Sequence, residues 1–84
     1  MGTLEHLEKG LHAEVAADLG NRSLAPDEDL LEQGIIDSLG LMKIIVYMEE
    51  TFRIKISDED IIPENFKSLN SMTNLVEKRL ANKA

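Results

Sequence analysis

At 84 residues, the chain is the length of one domain. A domain of this size buries only about 60–65% of the surface that its unfolded chain exposes, so two cores would not fit. Sixteen acids against nine bases leave a formal net charge of −7. That sign argues against nucleic acid, whose phosphates need clustered Lys and Arg, and against an anionic membrane surface. Cysteine is absent, which excludes a disulfide framework and a thiolate zinc site. No apolar run approaches the roughly 18 residues that a membrane-spanning helix needs. Met1-Gly2 begins like a myristoylation signal, but His6 stands where that signal has Ser or Thr. The expectation is a single cytoplasmic domain over residues 1–84. The charge is concentrated: residues 27–64 hold eleven acids against Lys43, Arg53 and Lys55, while the rest of the chain is nearly balanced.

The first predicted element is a helix over residues 3–19. Leu4, Leu7, Leu11, Val15, Ala16 and Leu19 recur at spacings of three and four, one face of a helix. Thr3 is placed as its N-cap and Gly20 as its stop. His6 and His12 share this helix at a spacing that does not align them, so they make a poor metal pair.

Residues 20–36 read as a long loop, punctuated by Gly20, Asn21, Pro26 and Gly34. Leu24, Leu30, Leu31, Ile35 and Ile36 are too apolar for a plain linker and are expected to pin the loop to the core, with a turn near residues 26–31. The acids at 27–29 fail the calcium-loop pattern, because Leu31 occupies a ligand position and no glycine follows.

The second helix is expected from Asp37-Ser38 to about Arg53, since Asp and Ser both favour N-caps. Turning about 100° per residue from Ser38, Leu41, Ile44, Ile45, Met48 and Phe52 fall between about 240° and 340° and are assigned to the core. Leu39, Met42 and Val46 fall between about 40° and 100°. That second group is either the flank of a central helix or an apolar patch left for a partner. Gly40, Lys43, Tyr47, Glu50 and Thr51 fill the remaining side.

Ile54-Lys55-Ile56 is a short extended link. Ser57 then precedes Asp58-Glu59-Asp60, acids that suit a helix's first turn. Pro63 is expected to end this short third helix, with Glu64-Asn65-Phe66 as loop and Phe66 turned inward. The last helix begins at Asn70 or Ser71. Met72, Leu75, Val76 and Leu80 form its buried stripe, and Lys78, Arg79 and Lys83 favour its C-terminal end.

No catalytic constellation emerges. A serine nucleophile needs a base and oxyanion donors, yet the histidines lie far from Ser38 and no Gly-x-Ser-x-Gly elbow is present. Ser38 itself has two readings: a simple N-cap, or an exposed hydroxyl where the amides and positive end of a helix favour a phosphate.

The surrounding stretch, Leu31-Glu32-Gln33-Gly34-Ile35-Ile36-Asp37-Ser38-Leu39, resembles the attachment site of the acyl and peptidyl carrier protein family, in which a Leu and a Gly precede Asp-Ser-Leu. Glu49-Glu50-Thr51-Phe52, Ile54-Lys55-Ile56 and Ser57-Asp58-Glu59-Asp60 match the family's order of elements, so the likeness covers the chain from Leu4 to Leu80. It implies an all-α, small four-helix bundle with a short third helix and a long loop between helices 1 and 2. It also implies that the protein is not an enzyme. Ser38 would be esterified by a 4′-phosphopantetheine arm, taken from coenzyme A by a phosphopantetheinyl transferase, and cargo would ride on the arm as a thioester. Asp37 would help present Ser38. Leu39, Met42 and Val46 would be the face that partners grip, with Glu49 and Glu50 as flanking charges. Lys43 departs from carriers of fatty-acid synthesis, which usually have an acid there. Together with residues 42–47 and 65–70, it is closer to free-standing peptidyl or aminoacyl carriers of natural-product pathways. Such carriers meet an adenylating or acyl-transferring loading enzyme and then tailoring or condensing enzymes, and a monomer is expected. The competing readings are a fatty-acid acyl carrier, a helical interaction module without an arm, and a cryptic hydrolase using Ser38.

Overall fold

The computed structural model describes residues 2–15 and 24–82. All regular structure among them is helical. Helix α1, Thr3–Gly10, continues as a π-helical stretch, Leu11–Val15. Helix α2 is Ser38–Phe52, α3 is the single turn Pro63–Phe66, and α4 is Leu69–Ala81. A 3₁₀ turn, Asp58–Asp60, precedes α3. The molecule is thus a four-helix bundle with a short third helix and a long connection into α2. None of these helices is long and apolar enough to cross a membrane.

The core follows the predicted stripes. Leu7 from α1, Leu11 from the π-helical stretch, Ile44 and Met48 from α2, Phe66 from α3, and Leu69, Met72 and Val76 from α4 are almost wholly buried. Helix α1 packs on α4, while its π-helical end packs on α2. Glycines permit that second contact. A Cβ on Gly10 would come within 2.3 Å of the Tyr47 ring, and one on Gly40 within 2.8 Å of Val15. Bare backbone at both points lets the helices cross closely. Tyr47 is consequently half-buried, and its hydroxyl donates to the His6 carbonyl at 2.9 Å. The sequence pattern placed Tyr47 and Gly40 on the outer side of α2; the close crossing brings that flank inside as well.

Several expected boundaries move. Gly2, not Thr3, is the N-cap of α1, and the Thr3 hydroxyl instead donates to Glu77 on α4 at 3.4 Å. The predicted continuation of helix 1 over residues 16–19, the stop at Gly20 and Lys83 lie outside the described residues. Pro63 begins a helical turn rather than ending one, because its missing N–H costs nothing at the first helical position. Phe66 is buried as expected, but inside α3. Helix α4 starts at Leu69, since the Ser68 hydroxyl caps it by accepting from the Ser71 amide at 3.1 Å. Leu80, expected in the buried stripe, is exposed at the penultimate position of α4. Phe52 is only half-buried, against the core's edge and the His6 ring.

The described part of the loop is tied down at both sides. Leu24 donates its amide to Glu8 on α1 at 3.0 Å. Leu30 donates to the Lys67 carbonyl, and Asn70 donates back to the Pro26 carbonyl at 2.9 Å. Leu24, Leu30 and Ile36 are buried, as their apolar character required. The acids here serve the loop itself: Glu28 accepts from the Ala25 amide and Asp29 from that of Glu32. Gly34, at φ +75°, makes the turn that returns the Ile35 and Ile36 amides to the Leu30 carbonyl. Among the described residues no cluster of His, Asp and Glu is arranged to hold a metal.

Candidate functional site

The loop delivers the chain to α2 at Asp37, and the local geometry separates the roles of two adjacent residues. Asp37 has extended backbone, and its carboxylate accepts from the Gly40 amide at 2.7 Å. Its own carbonyl accepts from the Leu41 amide at 2.8 Å. Asp37 is therefore the N-cap, and Ser38 is the first helical residue. The cap needs no help from the Ser38 hydroxyl, which stands on an exposed residue at the positive end of a 15-residue helix. Ile36, almost wholly buried just upstream, anchors the approach. Gly40 is constrained here too, since a Cβ would lie 3.3 Å from the capping carboxylate oxygen.

Beside Ser38 runs an apolar crevice of about 290 Å³. Leu31 and Ile36 from the loop and Leu41 from α2 form one side, and Ile61, Ile62, Pro63 and Phe66 form the other. The second wall is held by Asp60. Its carboxylate accepts from the Ser57 amide and hydroxyl at 3.1 and 3.0 Å and from the Arg79 guanidinium of α4. Its carbonyl accepts from the Asn65 side chain at 2.8 Å. The hydrogen bond from Arg79, aided by those from Ser57, holds the Asp60 carboxyl below the usual carboxylate range despite its burial. Nothing in the sequence pattern flagged this pair: Asp60 reads as one of three helix-start acids, and Arg79 lies nineteen residues on.

The other candidate residues are spread along α2. Leu39, Met42 and Val46 are exposed by 66%, 57% and 49%. They form a continuous apolar stripe that starts next to Ser38. Lys43 and Glu50 are exposed beside it. Glu49 is half-buried, and its carboxylate accepts from the Ile56 amide at 2.9 Å, so it also secures the link after α2. His6 is engaged within its own helix and with the end of α2. The His6 ring packs edge-on to Phe52, with centroids 6.0 Å apart, and its Nδ1 donates to the Gly2 carbonyl.

Comparison with known proteins accounts for this arrangement. The phosphopantetheine attachment site family matches residues 9–76. A D-alanyl carrier protein from Streptococcus pyogenes serotype M5 (strain Manfredo) is 35% identical over 52 residues, which span 62% of this chain and 66% of that protein. The same identity and coverage hold for the D-alanyl carrier protein of serotype M1. Among solved structures, a holo acyl carrier protein from Nitrosomonas europaea superposes with a TM-score of 0.81 at 26% identity, covering 96% of this chain and 99% of that one. A holo acyl carrier protein from Geobacter metallireducens gives 0.73 at 26% identity, covering 98% and 90%. The group implied is covalently attached 4′-phosphopantetheine, and the first turn of α2 fits it. An exposed hydroxyl can join a phosphodiester, the helix N-terminus favours the phosphate's charge, and an apolar crevice adjoins. Residues 9–76 include the loop, Asp37-Ser38-Leu39 and most of α4, and the chain belongs to the phosphopantetheine attachment site family of non-catalytic carrier proteins.

Proposed function

We propose that Ser38 carries the 4′-phosphopantetheine arm and that the chain, as one domain over residues 1–84, presents an aminoacyl or other small acyl thioester to the enzymes of a natural-product pathway of nonribosomal-peptide or polyketide type. The observation that carries the assignment is the capping geometry. Because Asp37 satisfies the Gly40 amide, the neighbouring hydroxyl is exposed at a helix N-terminus and available for esterification. Asp37 presents Ser38 by fixing that first turn. Leu39, Met42 and Val46 form the docking face, with Lys43, Glu49 and Glu50 around it. The relatives named D-alanyl carrier proteins support an aminoacyl cargo. The acidic middle of the chain supports docking to basic patches on a phosphopantetheinyl transferase, a loading enzyme and downstream tailoring or condensing enzymes, with the carrier acting as a cytoplasmic monomer.

Incubation with coenzyme A and a promiscuous transferase should add the mass of one phosphopantetheinyl group, and Ser38→Ala should remain unmodified. Modification of Ser38→Ala at the parent's rate would refute the assignment. The solved neighbours named acyl carrier proteins favour a second reading, a fatty-acyl cargo. Loading the arm-bearing protein in parallel with an amino-acid-activating enzyme and with a fatty-acyl-activating enzyme separates the two by the mass of the thioester formed.

A further inference from the structure

The end of α2 opposite Ser38 carries a hollow of a different kind. It encloses about 410 Å³ where the link after α2 meets the end of α4, and Arg53, Ile54, Lys55, Arg79 and Asn82 line it. Three of the chain's nine lysines and arginines thus meet in one concavity of a protein whose net charge is −7. Among the described residues no carboxylate lines it. About 22 Å of helix separate it from Ser38.

The helix ends do not by themselves account for these bases. The last carbonyls of α2 and α4 favour nearby cations, but that influence fades within the last turn, and Lys55 lies beyond it. Ile54 and Ile56 are buried on either side of Lys55, so the link presents Lys55 outward. Among the described residues no carboxylate pairs with it. Arg53 follows α2 at φ 54°, a left-handed conformation that favours glycine, so the turn does not call for arginine. Arg79 gives one guanidinium nitrogen to Asp60, and Glu59 adds a second negative charge near it. Its Nε nevertheless lies buried without a hydrogen-bond partner, a state that few buried donors are left in.

We propose that this hollow is an anion site for the phosphate or pyrophosphate group of a small ligand. Arg53 and Arg79 donate to its oxygens in the forked geometry that suits phosphate, Lys55 supplies a point charge, and the Asn82 side-chain amide adds a donor. A phosphate group concentrates close to two charges in one compact head, which three bases around one hollow match better than they match a single carboxylate. The volume is that of a small-molecule site. The inference stands at the other end of α2 from the arm and does not rest on the carrier reading.

Inorganic pyrophosphate is the probe, titrated into the full chain at constant ionic strength and followed by amide chemical shifts. Saturable shifts should centre on residues 53–55 and 79–82. Lys55→Gln should weaken the affinity by about threefold, the size of one exposed ion pair. Lys67→Gln removes the same charge just before α4, at the opposite end of that helix from Arg79, and should weaken it by less than about 1.5-fold. An equal weakening in both variants would reduce the effect to net charge and overturn the proposal. So would shifts centred on residues 37–40, where the start of α2 also favours phosphate, or none at millimolar pyrophosphate. Hexaglutamate is titrated in parallel. Weaker binding than pyrophosphate supports the phosphate site, whereas equal or tighter binding at the same residues would assign the hollow to an acidic protein segment and overturn it.

Discussion

The two faces of α2 are built from the same kinds of residue and meet opposite fates. Ile44 and Met48 are wholly buried, whereas Met42 and Val46, two residues away on the chain, are about half exposed. Methionine and β-branched aliphatic side chains occur on both sides, so hydrophobicity alone does not assign them. What distinguishes the faces is the cover. Helix α4 and the loop close over the first, and the close crossing of α1 covers the flank at Gly40 and Tyr47. Nothing among the described residues closes over the stripe from Leu39 to Val46. An apolar surface left uncovered in an acidic chain is a place where association is favoured and partners can exchange.

Truncation on the two faces should break the symmetry of composition. Met48→Ala removes a side chain from a packed core and should cost about 2–5 kcal/mol, read from the denaturant midpoint at unchanged slope. A loss below about 1 kcal/mol would mean that the core face is looser than it looks. Tyr47→Phe tests the border between the faces. It removes one hydrogen bond to the His6 carbonyl and should cost about 0.5–1.5 kcal/mol.

A third test concerns what covers the core face. Asp60 holds the crevice wall against α4, and its carboxyl titrates below the usual range because Arg79 hydrogen-bonds its ionised form. A group depressed in the folded state stabilises it above the unfolded value, near about pH 4, and loses that contribution as pH falls through the folded value. The melting-temperature advantage of the parent over Asp60→Asn should therefore be complete at neutral pH and shrink on acidification below about pH 4. An advantage that persists in acid would remove Arg79 as its source.

The smallest effects belong to the exposed stripe. Leu39→Ala and Val46→Ala should change stability by less than about 0.5 kcal/mol while slowing partner reactions. A large stability loss from Val46→Ala would place it in the core and erase the distinction between the faces. Glu50 suits a charge-reversal test of docking better than Glu49, whose carboxylate also holds the Ile56 amide.

Much was legible in the chain by itself. Spacings of three and four identified α1, α2 and α4, because a helix must turn its apolar residues to one side whatever it packs against. Asp-Ser ahead of an apolar run marked the start of α2, since capping chemistry is local and needs only neighbouring residues. The order of elements around Asp37-Ser38-Leu39 indicated the family. Tertiary structure decided the rest. It allotted the cap to Asp37 and left the Ser38 hydroxyl exposed. It turned Tyr47 and Gly40 inward, because two glycines on separate helices permit an approach that neither sequence segment reveals. It paired Asp60 with Arg79 across the bundle, and it chose which apolar face of α2 stayed uncovered. Each of these depends on which surfaces meet, and residues far apart in the chain settle that only when the fold brings them together.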